Sequence, residues 1–217
     1  MELTAPVIPR RKAMADKVSD ILSPPVLLVA TLGILVGRDG SDYCLLAAVY
    51  FVVCSGVLPL LALWHLCRKG VANKHLDEPE SRILAFGWAL LGTILGVSGL
   101  LTWSGMPRLF VVFAIAYALV LAVLFLASAV WRYRRLRYGP AAQAWKISIH
   151  GGGVGMLAGV AAALYPSLPV IASGLMLCAV MVVARVVNEN HSPLQVVSGA
   201  LTAGGIHCAA LMFYAAP

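Results

Sequence analysis

Uncharged, largely apolar stretches follow one another along most of the chain, at 21–37, 43–67, 83–107, 109–131, 147–184 and 192–217. Charged residues are confined to the short segments between them. A helix needs about 20 apolar residues to cross the hydrocarbon core of a bilayer. The 147–184 stretch is long enough for two such helices and is interrupted by Tyr165-Pro166-Ser167-Leu168-Pro169. The pattern therefore predicts an all-α fold, a polytopic transmembrane bundle of six or seven spanning helices. The first stretch is short and contains Pro24-Pro25, so it reads equally as an interfacial or tilted segment.

Composition agrees with the pattern: 61% of residues are hydrophobic and 12% charged, with a mean hydropathy of +0.90. An ordinary soluble domain carries about twice that charge. The segment 1–20 is polar and basic and lacks the apolar core of a cleavable signal. It reads as a basic N-terminal cytoplasmic tail, ahead of a single transmembrane domain over 21–217. Five cysteines (44, 54, 67, 178 and 208) lie in or beside apolar runs without CxxC or Cys/His spacing. They read as small hydrophobic residues rather than a disulfide or metal framework.

Charge orients the expected bundle. With seven helices, the N-terminal segment, the 68–82 and 132–146 loops and the 185–191 turn share one side, which then holds 14 of the 16 Lys and Arg residues. Only Arg38 and Arg108 face the other way. Setting aside Lys74, Arg82, Lys146 and Arg185 as site candidates still leaves ten against two. Basic residues accumulate in cytoplasmic loops, so this side is expected to face the cytoplasm of a bacterial inner or plasma membrane. The net charge of +7 is then read as topology and contact with anionic headgroups. Basic residues dispersed over several short loops argue against nucleic acid as a partner.

The same side carries the polar clusters. Ser148-Ile149-His150 opens the fifth long stretch, and Arg185 is followed six positions later by His191. Charge near hydrocarbon is costly and calls for a cause. Two imidazoles, an arginine and a hydroxyl are the parts needed to bind a phosphoryl group and attack it. Gly151, Gly152 and Gly153 follow His150, where backbone N–H groups at a helix start favour an anion. Gly155 and Gly159 continue a four-residue spacing that suits close helix packing. Lys146 reads equally as a further phosphate-binding cation and as an interfacial lysine.

These residues resemble the motifs of the type 2 phosphatidic acid phosphatase superfamily of membrane lipid phosphatases, written K-x6-R-P, P-S-G-H and S-R-x5-H-x3-D. Ile147-Ser148-Ile149-His150 matches the second at Ser and His. Ala184, Arg185, His191 and Gln195 stand at the spacing of the third, with Ala for Ser and Gln for Asp. The first is looser: Lys74 and Arg82 are one residue too far apart, and Ile83 replaces the Pro. The resemblance covers about 71–199. It implies a metal-independent phosphatase without a cofactor. In that reading His191 attacks phosphorus to form a phosphohistidine and His150 protonates the leaving group. Arg185, Lys74 and Arg82 hold the phosphoryl oxygens, Ser148 donates to one of them, and Gln195 orients the nucleophile.

The expected partners are the bilayer and a membrane lipid phosphate. Phospholipid phosphates, isoprenoid phosphates or diphosphates and polyprenyl-linked sugar phosphates all fit a cytoplasmic site, and homo-oligomer formation is left open. The alternative is a catalytically degenerate scaffold or a lipid-binding or transport protein, favoured by Gln195 and the loose first motif. Two geometric expectations follow. The six residues Lys74, Arg82, Ser148, His150, Arg185 and His191 should converge, and the Gln195 amide oxygen should face one ring nitrogen of His191. His207 is expected to be a helix-packing histidine near the far interface.

Overall fold

The structure, a computed structural model, describes residues 10–71, 78–139, 146–189 and 191–215. These form an all-α bundle with the long apolar helices of an integral membrane protein. In chain order the helices are α1 (Arg10–Ile21), α2 (Pro24–Asp39), α3 (Asp42–Val52), α4 (Leu58–Arg68), α5 (Pro79–Thr102), α6 (Arg108–Tyr138), α7 (Ile149–Leu164), α8 (Leu168–Val187) and α9 (Pro193–Ala215). Local sequence accounts for their limits. Pro occupies the first turn of α2, α5 and α8, where a missing N–H costs nothing. Gly40 closes α2 in the left-handed conformation at φ 73°, which suits glycine.

Among the described residues, five helical stretches are long and apolar enough to span: 42–68, 79–102, 108–138, 168–187 and 193–214. The α1–α2 pair, bent by 43°, qualifies only when taken together. Helix α7 is apolar but only 16 residues long, about 24 Å, and so falls short of the hydrocarbon thickness. The 42–68 span is continuous through a π-helical turn at Val53–Val57 that joins α3 to α4. Pro59 lies four residues beyond Ser55. Its ring crowds the Ser55 carbonyl and it offers no N–H, so the ladder widens locally.

Within the basic N-terminal segment, the described residues from Arg10 form α1, which packs on α8 with Ala15 and Ser19 buried. Lys12 and Glu189 face each other at 3.7 Å across that contact.

Helix α7 is the centre of the bundle. It runs parallel to α9, and small residues interlock at a constant offset. A Cβ on Gly151, Gly155 or Gly159 would collide with the carbonyl of Val196, Ala200 or Gly204 in turn. Close backbone approach of this kind holds helices together in lipid, where the hydrophobic effect between them is absent. On its other face α7 meets α2, with Leu27 against Gly153. The core also contains an aromatic cluster, with Phe51, Phe110, Phe113 and Tyr117 packed edge-to-face or tilted among aliphatic side chains.

Candidate active site

The starts of α5, α7 and α9 and the ends of α6 and α8 meet at one end of the bundle. Glu80 reaches Arg132 at 3.5 Å and Glu78 pairs with Arg135, tying α5 to α6. Arg82, one turn into α5, is only 4% exposed. Its Nη2 donates to the Ile147 carbonyl at 2.7 Å, and its guanidinium lies 5.2 Å from the Phe86 ring centroid. The Ser148 N–H donates to the Gln195 carbonyl at 3.0 Å. That bond fastens the segment leading into His150 directly to the first turn of α9.

The first turn of α9 is a capping box. The Ser192 Oγ accepts from the Gln195 N–H at 3.4 Å, and the Gln195 Oε1 accepts from the Ser192 N–H at 3.1 Å. Pro193 fills the first helical position. The same Oε1 lies 3.2 Å from the His191 Nδ1. Because the Ser192 N–H can only donate, the amide atom facing it is the oxygen, and the ring nitrogen beside that oxygen must then carry the proton. His191 is thereby held with Nδ1 protonated, which leaves Nε2 with a free lone pair.

The surroundings are cationic. Burial is the largest influence on His191 and pushes its pKa down, from 6.5 to about 4. Arg185 adds to this, Gln195 opposes it through the hydrogen bond, and Arg82 and Lys146 contribute further repulsion. Arg185 and His191 are also close enough to His150 for their charges to act on it. Among the described residues, no carboxylate acts on either ring. Lys146 rests with Nζ 5.4 Å from the Trp131 ring centroid, so a cation–π contact holds it at the rim of this cluster.

Of the residues singled out in the sequence, Arg82, Lys146, His150, Arg185, His191 and Gln195 come together. Lys74 lies outside the described residues. Two placements differ from expectation. Ser148 is fully buried as the N-cap of α7, and its Oγ accepts from the Gly151 N–H at 3.3 Å. Gly151 is turned against the Val196 carbonyl. The first turn of α7 is thus consumed by capping and helix contact rather than offered to an anion. Among the described residues no three His, Cys, Asp or Glu side chains cluster as metal ligands would.

Sequence reasoning missed Asn188, the C-cap of α8, which is buried with neither amide atom hydrogen-bonded among the described residues. Asn is common at helix ends and carried no signal there. It also missed an apolar cavity of about 390 Å³ lined by α2, the π-helical turn, α4, α5, α6, α7 and α9, with His150, Met156 and His207 among its lining residues. His207 is fully buried against Phe113 and Tyr117, as a packing histidine would be, and also lines this cavity.

Compared with models of known families, with curated proteins and with solved structures, the chain gives no match.

Proposed function

We propose that this protein is a membrane phosphohydrolase similar to the type 2 phosphatidic acid phosphatases, acting on a lipid phosphate without a metal. The observation that carries the reading is the state of His191. Its Nδ1 faces the Gln195 amide oxygen, and among the described residues Arg185, Arg82 and Lys146, but no carboxylate, act on the ring. Such a site attracts a phosphoryl group and presents a nucleophile to it.

In the first step the Nε2 lone pair bonds to phosphorus while the bond from phosphorus to the lipid oxygen breaks. That oxygen takes a proton from His150, which can carry one once the bound phosphate supplies negative charge. In the second step water attacks the phosphohistidine and gives a proton to His150. The P–N bond breaks, releasing orthophosphate and neutral His191. Arg185 and Arg82 hold the phosphoryl oxygens as charge spreads over them, and Lys146 adds charge at the rim. The basic loops at this end support a cytoplasmic orientation, and on that reading the substrates are phosphates of lipids present in the inner leaflet.

The test is phosphate release from a panel of phospholipid and isoprenoid phosphates by purified protein in EDTA. Release is expected in EDTA, and His191→Ala should lower turnover by a factor on the order of 10³ or more, as loss of a nucleophile does. Unchanged hydrolysis in His191→Ala, or activity abolished by EDTA, overturns the reading. A degenerate lipid-binding protein is the second reading, favoured by the uncharged Gln195 beside the imidazole. Lipid phosphate binding without release by the wild type would establish it.

A further inference from the structure

The cavity that His150 and His207 line is apolar along most of its wall, yet two of its lining residues carry buried polar atoms without partners among the described residues. One is the Ser55 Oγ, in the π-helical turn between α3 and α4; the other is the His207 Nε2 on α9. Ser55 is 4% exposed and His207 0%. A buried polar atom left unsatisfied costs about 1–3 kcal/mol, so two such atoms on residues of one cavity wall point to something that satisfies them. π-helical turns are also found frequently at functional sites.

The geometry of His207 specifies what that partner must offer. Its Nδ1 lies 2.8 Å from the Ala203 carbonyl, an oxygen that can only accept, so Nδ1 carries the proton. An imidazolium here, against Phe113 and Tyr117, would be an uncompensated charge in apolar surroundings. The ring is therefore neutral and Nε2 is a bare acceptor. A partner for it must be a hydrogen-bond donor. The Ser55 hydroxyl can donate or accept and so complements a hydroxyl group, which does both.

We infer that this cavity binds an apolar chain bearing a hydroxyl group, received by His207 and Ser55 deep in the bundle. His207 lies twelve residues beyond Gln195 on α9, about 18 Å along the helix axis. That depth exceeds half the hydrocarbon thickness, about 15 Å. The hydroxyl is carried either on the tail of the lipid whose headgroup meets His150 and His191 or on a separate apolar alcohol. The first source rests on the phosphohydrolase reading; the second does not.

The test uses purified protein in phosphatidylcholine nanodiscs and two probe pairs, dodecylphosphonate with 12-hydroxydodecylphosphonate and dodecane with 1-dodecanol. A twelve-carbon chain between a phosphonate and a hydroxyl is about as long as the distance to be covered. In the wild type the hydroxylated member of a pair should bind about tenfold tighter, the scale of one buried hydrogen bond. His207→Leu should abolish the preference; Ser55→Ala should weaken it and serves as the readout should His207→Leu not fold. A preference for 1-dodecanol lost in His207→Leu, with neither phosphonate bound, supports the cavity site while removing the headgroup reading. Phosphonates that bind equally with and without the hydroxyl, a preference that survives in the folded variants, or no binding by any probe each overturn the inference.

Discussion

In the candidate site the His191 Nδ1 faces the Gln195 amide oxygen, and Arg185, Arg82 and Lys146 act on the ring. Since burial and Arg185 hold the His191 pKa at about 4, the ring should stay unprotonated through neutral pH. Its ¹⁵N resonances should titrate with a midpoint near 4 rather than 6.5. Sign matters for stability as well. Below 6.5 the unfolded chain binds a proton that the folded one refuses, so this contribution is complete above 6.5 and is lost as pH falls toward about 4. A midpoint near 6.5 would mean that the ring is solvated and the cations distant. Replacing Gln195 by Glu preserves the capping box, since Glu also suits that position, and places a negative charge beside the ring. The midpoint should then rise. Gln195→Leu removes both contacts and should lower kcat by about 10- to 100-fold, the scale on which outer partners of metal-bound imidazoles act, with little change in KM. A purely capping role would leave kcat unchanged and reduce stability alone.

Helices α7 and α9 behave as one element because their backbones touch. Their glycine seam places the His150 turn level with the His191–Gln195 turn, and the bond from the Ser148 N–H to the Gln195 carbonyl keeps the two in register. A methyl group at Gly155 meets the Ala200 backbone, which cannot move aside as a side chain could. Gly155→Ala should therefore destabilise the protein by about 1–3 kcal/mol, the usual cost of overpacking, and reduce activity by separating the two histidines. At Gly205 nothing lies within 4 Å of an added Cβ. Gly205→Ala should be neutral or stabilise by under about 1 kcal/mol. Thermal unfolding of the two variants in detergent checks the contrast, and equal melting temperatures would contradict the packing account.

For the whole molecule, the cationic site shares its end of the bundle with most of the basic loops. If that end is cytoplasmic, a cysteine introduced at Arg134, exposed at the end of α6, should resist a membrane-impermeant maleimide in intact cells. One at Ser104, between α5 and α6, should react. Both belong in a background lacking the five native cysteines, which are free among the described residues. Labelling of the Arg134→Cys variant in intact cells would place the site outside and exclude inner-leaflet substrates.

What the sequence determined by itself is what local length and spacing control. Apolar runs near the thickness of a bilayer required helices, Pro and Gly marked their ends, and the alternation of loops put Arg82, His150, Arg185 and His191 at one end. The four-residue step from His191 to Gln195 likewise brought the amide back to the ring, because an N-terminal capping turn closes over three to four residues. Only the tertiary structure decided what depends on which helices face each other. It turned Gly151 toward α9 and sealed Ser148 beneath it, where the sequence suggested anion contacts. It docked α1 on α8, and it left Ser55 and His207, distant in the chain, on the wall of one cavity. The reason is physical: hydropathy records how much of a helix avoids water, but in lipid every face is apolar. Which face meets a neighbour is then set by close backbone contact and buried polar groups, and neither has a local period.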